Sequence, residues 1–287
     1  MSKQPTEMDN GEHLELIPCP LCGNTKLQRI SENGQFGLPC HVVICPFDGL
    51  VFLSPRWTKE DYAYFYKYEY DNFYRNNKHD KKELYKDAKE IYSRLNERQL
   101  IGDVKSILDI GAGMGWGLEW FSNHLSQLNR FAAIEIAECC VENLKSIGID
   151  VISDNVESYW KADGFDIVIM RHVLEHTMNP IKALAMVGRN LSDDGVVYID
   201  VPNAMSPPRG VRESDFFRAV HTFYFSESTL TSMALLAGLQ LVKNVYHEYN
   251  LVCIFKKAKN IKANKSDVCE EQIKVLTSMI SKQKVDK

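Results

Sequence analysis

At 287 residues, 45% hydrophobic and 25% charged, the chain has enough apolar content for one sizeable core and perhaps a small satellite domain. Its formal net charge of −4 supplies no global electrostatic reason to expect nucleic acid or an anionic membrane as partner. The N-terminal stretch is polar, with Lys3, Glu7, Asp9 and Glu12, and no apolar run nears the length of a bilayer span, so a soluble cytoplasmic protein is expected.

The first unit is expected over residues 1–58. Of eight cysteines, four crowd between Cys19 and Cys45, and such clustering favours metal over disulfides. Pro18-Cys19-Pro20-Leu21-Cys22-Gly23 places two thiols on one knuckle, able to reach one tetrahedral ion. The partner knuckle is Cys40-His-Val-Val-Ile-Cys-Pro-Phe-Asp-Gly-Leu, in which Asp48 stands where a second CxxC would carry its last thiol. Cys19, Cys22 and Cys45 are the firm candidates, with Asp48, Cys40 or His41 as the fourth ligand of a structural zinc. Few basic residues and an apolar second strand, Gly49 to Leu53, predict packing against a neighbour rather than nucleic-acid binding. CPLCG, the CPFDGLVFLSP segment and the aromatic run that follows resemble the zinc-binding N-terminal domain of a group of sugar methyltransferases, notably the deoxysugar C-methyltransferases.

Residues 59–102 are expected to form an aromatic and helical connector. Asp61 to Tyr74 packs eight aromatic rings into fourteen residues, a density that suits a buried seam. The resemblance implies a lid, for which Tyr66, Tyr70 and Tyr74 are the candidates. Leu84, Ala88, Ile91 and Leu95 then recur at helical spacing amid charges, predicting an amphipathic helix.

The main domain, residues 103–258, opens with Ile107 to Trp120, ILDIGAGMGWGLEW, read as strand, tight turn and helix. Glycines let such a turn lie against a ligand at the helix N-terminus. A dinucleotide fingerprint would need glycine at the sixth position counted from Gly111, where Trp116 stands. Phe131 to Ile136 predicts the next strand, with Glu135 at its carboxyl end placed to accept both ribose hydroxyls of a nucleoside. Val151 to Asp154 reads as a third strand and Phe165-Asp-Ile-Val-Ile-Met-Arg-His-Val-Leu-Glu-His-Thr-Met-Asn-Pro180 as a strand running into a polar loop and a helix.

The glycine turn and the segment of pattern FDxVxxxxVLEHxxxP resemble class I S-adenosylmethionine-dependent methyltransferases. That resemblance implies an α/β Rossmann-like sheet, mostly parallel with its last strand antiparallel, and S-adenosylmethionine as cofactor. It would place Asp109, Gly111, Ala112 and Gly113 at the methionine part, Glu135 and Ile136 at the ribose, and Asp154 and Asn155 at the adenine. Arg171 and His172 would emerge beside the methyl donor, and Glu175 and His176 could pin the loop. Some family members use a related acid and histidine cluster to bind a divalent metal on the substrate, but one of its acids is missing here.

Leu191 to Gly195 is expected as a turn into the strand Val196 to Val201. Met205 to Arg218, with arginines at 209, 212 and 218, lacks an apolar period and reads as an irregular insertion over the substrate mouth, where arginines could hold phosphates. His221-Thr-Phe-Tyr-Phe resembles the HxxYF context of the proposed base in sugar C-methyltransferases, although Arg218 and Val220 stand where an acid and a tyrosine would support it. His221 is the leading base, His172 or His176 the next. Two closing strands, Leu239 to Tyr246 and Leu251 to Lys256, and a charged tail over 259–287 with one possible helical face complete the chain. The expected activity is methyl transfer to a small molecule, a sugar or nucleotide sugar, at carbon, oxygen or nitrogen. A nicotinamide-dependent oxidoreductase and a silent cofactor-binding module are the alternatives.

Overall fold

The computed structural model describes residues 13–69, 73, 80–208, 210–247 and 249–259. Tyr70, Tyr74, Arg209 and the expected helical face in the tail lie outside the described residues.

Near the N-terminus, β1 (Leu14–Glu15) pairs antiparallel with β5 (Arg56–Trp57). Between them lie β2 (Gln28–Asn33), β3 (Pro39–Ile44) and β4 (Val51–Leu53). The Asp48 carboxylate accepts from Leu50 N–H at 3.0 Å in the turn between β3 and β4. Two helices follow. α1 (Lys59–Tyr68) is capped by the Thr58 side chain, and α2 (Lys81–Asn96) is capped by Asp80 and buries Ala88, Ile91 and Leu95.

The central sheet is built from β6 (Ser106–Ile110), β7 (Arg130–Ile134), β8 (Asp150–Ser153), β9 (Phe165–Arg171) and β10 (Leu191–Pro202), closed by β12 (Leu239–His247) and β13 (Asn250–Lys257). Its order is β12-β13-β10-β9-β6-β7-β8. All pairings from β10 to β8 are parallel, and β13 runs antiparallel to both of its neighbours. The chain moves outward from β6 through β7 to β8 and then returns to place β9 on the other side of β6. A ligand crevice is expected at that reversal, beyond the strands' carboxyl ends. Leu191 to Gly195, expected as a turn, is the first part of β10, with a register shift between Leu191 and Val196.

Period-two alternation divides the sheet's side chains between two cores. Ile107, Ala133, Ile167, Ile169 and Val252 face α2 and α3 (Trp116–His124), while the last turn of α4 (Glu138–Ser146) adds Leu144. On the other face, Leu108, Ala132, Val168, Ile199 and Phe255 pack with residues of α5 (Pro180–Arg189) and α7 (Glu227–Leu236). That second core also contains Cys19, Val43, Cys45, Leu50 and Phe52. The N-terminal segment thus packs on the sheet face, as its apolar strand predicts. It also gains an outside strand: β11 (Phe223–Tyr224) pairs with β4, giving a sheet of order β11-β4-β3-β2. A four-residue helix, α6 (Glu213–Phe216), interrupts the 205–218 insertion.

Candidate active site

A cavity of about 1050 Å³ opens over the ends of β6 and β9, large enough for a nucleoside-sized ligand and a second small molecule. One part of its wall comes from Asp109, Gly111, Ala112, Gly113, Trp116 and Glu135. After β6 the backbone turns through Gly111 at φ 77° and Gly113 at φ 54°, in the left-handed region that side chains resist. At Gly111 room is also lacking, because an added Cβ would meet Val173 Cγ2 at 2.5 Å. At Gly113 an added Cβ would meet nothing within 4 Å, which leaves the backbone open to a ligand. Burial, then the charge of Glu135, pushes the Asp109 carboxyl up to about 7, against the opposing pull of Arg171.

Glu135 is buried just beyond the end of β7. Its Oε2 accepts from Gly113 N–H at 2.8 Å, and its Oε1 accepts from Ile136 and Ala137 N–H at 2.9 and 2.8 Å. The sequence reading gives both oxygens to a ribose; here the backbone occupies them first, and Oε2 keeps a lone pair for a further donor. Ile136, Asp154 and Asn155 are not among the residues lining the cavity. Asp154 is exposed just past β8, and Asn155 Oδ1 caps Glu157 N–H at 2.8 Å in a local turn.

Arg171 lines the cavity, but its guanidinium is paired with Asp87 of α2 and with Asp200 at 3.2 Å. A free cation beside the methyl donor is therefore not what the fold presents. Asp87 was not singled out from the sequence, yet it sits within the apolar stripe of α2 between Leu84 and Ala88. An acid on such a stripe is a signal of a buried partner.

The remaining wall gathers His172, Glu175, His176, Arg218, Val220, His221 and Tyr224. His172 follows β9 with φ 52°, a strained conformation for a side-chain-bearing residue. Its Nδ1 lies 3.2 Å from Glu175 Oε1. Burial opposes the charged ring, but the bond and charge of Glu175 outweigh it and raise the His172 pKa. Glu175 is 1% exposed, and its Oε2 has no hydrogen-bond partner among the described residues. His176 Nδ1 lies 3.0 Å from the Val220 carbonyl, which can only accept, so Nδ1 carries the proton and Nε2 is left with a lone pair. Tyr66 Oη is 2.9 Å from the same nitrogen.

His221 is buried and stands edge-on to His176, ring centroids 4.7 Å apart. Burial, then the neighbouring His176 and Arg218, holds its pKa well below the ordinary histidine value, so the ring is neutral near pH 7. Glu175, His176 and His221 each offer one ligand-type atom within 4.8 Å of the others. The structure thus assembles all three histidines named from sequence and adds Glu175, whereas Arg212 is exposed and paired with Asp215.

The cysteine knuckles form a second cluster. Cys19, Cys22, Cys45 and Asp48 bring one atom each within 4.8 Å of the others. Cys22 and Cys45 sulfurs are 3.5 Å apart, and Asp48 Oδ2 lies 3.1 Å from Cys19 Sγ and 3.4 Å from Cys45 Sγ. Tetrahedral zinc at ordinary zinc–sulfur distances sets sulfurs about 3.8 Å apart, so the donor set fits one. Burial, reinforced by Asp48, drives the Cys19 thiol far up and Cys22 up to about 11, a penalty on the thiolates that a cation would relieve. Cys40 is not part of this group; it is buried against Tyr224.

An open α/β sheet with a glycine turn after its first strand, an acid after its second and an antiparallel last strand defines a Rossmann-like methyltransferase fold. The sequence model described as "Methyltransferase domain" matches residues 79–244. The chain belongs to that family of methyltransferases. Among solved structures, an S-adenosylmethionine-dependent methyltransferase from Clostridium acetobutylicum aligns with TM-score 0.50 and 13% identity, covering 69% of this chain and 98% of its own. One from Mesorhizobium loti has TM-score 0.46 and 14% identity over 56% of this chain and 95% of its own. The CcbJ methyltransferase from Streptomyces caelestis has TM-score 0.47 and 13% identity over 58% and 88%. No curated protein matches the sequence. Among the described residues no helix is long and apolar enough to cross a membrane.

Proposed function

We propose that the protein moves the sulfonium methyl group of S-adenosylmethionine to a sugar or nucleotide sugar, with His221 as general base. The observation that carries this reading is the buried, neutral His221 ring in the wall of the same cavity as the glycine turn. Asp109, Gly111, Ala112, Gly113 and Glu135 bind the cofactor, with Ile136, Asp154 and Asn155 reached where adenosine extends past the cavity wall. The donor is already electrophilic, so the protein's work is alignment and proton removal. The acceptor atom attacks the methyl carbon, the sulfur–carbon bond breaks with its electron pair going to sulfur, and the acceptor's proton goes to His221. His172, tied to Glu175 through Nδ1, is the second candidate base. Phe216 and Tyr224, which line the cavity, offer rings to a sugar face and Arg218 a cation to a phosphate.

A second reading of the acceptor site rests on the unpartnered Oε2 of Glu175 beside His176 and His221. A divalent cation held by these three would orient the acceptor's oxygens, in which case turnover depends on added metal. The cysteine cluster is read as a structural zinc site. Release of S-adenosylhomocysteine in a screen of nucleotide sugars tests the activity. His221→Gln is expected to retain S-adenosylhomocysteine binding and lose turnover; undiminished turnover removes His221 from the mechanism.

A further inference from the structure

The segment carrying His221 is closed on itself at Arg218 and held by chain remote in sequence at the Ala219, Val220 and Thr222 carbonyls. Tyr224 Oη donates to Arg218 O at 3.1 Å and accepts from Arg218 N–H at 2.7 Å. Tyr62 donates to Ala219 O at 2.8 Å, and His176 donates to Val220 O at 3.0 Å. Leu53 N–H donates to Thr222 O at 3.0 Å. Thr222 is fully buried, and its hydroxyl lies 3.0 Å from Glu175 O and 2.6 Å from Thr177 O. It therefore ties the His221 segment directly to the loop that carries Glu175 and His176.

Leu53 leads back to the cysteines. It ends β4, which pairs with β11 at Phe52 with Phe223 and Val51 with Tyr224. The turn that feeds β4 is closed by Cys45 N–H donating to Leu50 O at 2.9 Å and Leu50 N–H donating to Asp48 Oδ1 at 3.0 Å. Cys45 and Asp48 are two of the four corners of the cluster. The apolar contacts follow the same route, since Cys19, Cys45, Leu50, Phe52 and Phe223 share one core.

We propose that Thr222 is a positioning residue for His221 and that the Cys19–Cys22–Cys45–Asp48 cluster is its anchor. The anchor half rests on the zinc reading given above; the Thr222 half stands on hydrogen bonds alone. A cation that joins the two knuckles fixes the turn before β4, β4 fixes Thr222 and β11, and Thr222 fixes the His221 ring against His176. None of the hydrogen bonds on this route runs through Asp109, the glycine turn or Glu135, and Leu108 and Ile110 of β6 meet the cysteines only through the shared apolar core, so loosening the anchor disturbs the acceptor site far more than the cofactor site.

The test uses the full chain, zinc-loaded and after chelation, with metal content measured in each sample. Amide hydrogen exchange at Leu53, Phe223, Tyr224 and Phe225 is expected to accelerate by about tenfold or more on zinc removal. The His221 ring resonance, assigned by its loss in His221→Gln, moves in the same step. Exchange at Ile107 to Ile110 and the affinity for S-adenosylhomocysteine stay within about twofold. Thr222→Val moves the His221 resonance with zinc still bound, and Thr222→Ser restores it. Unchanged exchange after chelation, or loosening that reaches Ile107 to Ile110 equally, overturns the anchor. An unmoved His221 resonance in Thr222→Val overturns the positioning role. A protein that takes up no zinc overturns the zinc reading and the anchor with it, while the Thr222 variants still decide the rest.

Discussion

The two parts of the cavity wall are made by different means. The glycine turn and Glu135 form a surface of backbone, set by dihedral angles and N–H groups within two adjacent β–α units. The wall around His221 is made of side chains from two segments far apart in sequence, 172–176 and 218–224, held by bonds such as Tyr62 to Ala219 and Thr222 to Thr177. A backbone surface tolerates almost any side chain that leaves its dihedrals alone. A side-chain surface depends on every member being present and correctly placed. The first suits a cofactor that many relatives would share; the second suits an acceptor peculiar to one protein.

Substitutions on either side sharpen that contrast. The largest effect is expected at His221, where replacement by Gln should lower turnover by about 10²–10⁴-fold, the usual worth of a positioned base. Calorimetry with S-adenosylhomocysteine should find the affinity of that variant unchanged. Gly111→Ala is the reverse case. The left-handed backbone costs about 1–2 kcal/mol on its own, and the contact with Val173 Cγ2 at 2.5 Å adds to it. Cofactor affinity should fall by about tenfold or more, read by the same titration.

The next effect is one of pH. The Asp109 carboxyl, raised to about 7 by burial, is largely protonated in the free protein at pH 6. The cofactor's positive charges favour the ionised form, so binding at pH 6 releases a proton, and affinity falls as pH drops below 7. The limiting slope is about tenfold per pH unit, and calorimetry with S-adenosylmethionine itself, which carries the sulfonium charge, in buffers of different ionisation heat counts the protons. Asp109→Asn should abolish the slope. The smallest effect is expected on the surface: Arg212, 76% exposed and paired with Asp215, should change stability by no more than about 0.5 kcal/mol on replacement by Ala, measured by urea unfolding.

How much could be read from the sequence follows the same division. The glycine turn and Glu135 are local patterns that spacing reveals, whereas the antiparallel last strand was implied only by the family resemblance and the order of strands came from the structure. Arg171 shows the limit: its position at the end of β9 was legible, but its pairing with Asp87 and Asp200 depends on α2 crossing the sheet. The turn expected at Leu191 to Gly195 is instead strand, because Leu191 pairs with Phe165 before the register shifts. The link from Leu53 to Thr222 and the hydroxyl of Thr222 carry no sequence signal, since their partners lie far along the chain. The cysteine knuckles were legible as a pair and Asp48 as standing in the place of the missing thiol, with Cys40 and His41 open beside it, and the geometry groups Asp48 with Cys19, Cys22 and Cys45.

The most direct test of the account is a crystal soaked with S-adenosylhomocysteine. Its adenosine and thioether are predicted to lie on the Gly111–Gly113 turn, with a ribose hydroxyl donating to Glu135 Oε2 and the sulfur facing the His221 side of the cavity. Density for the compound elsewhere, or a crevice that stays empty at saturating concentration, would contradict it.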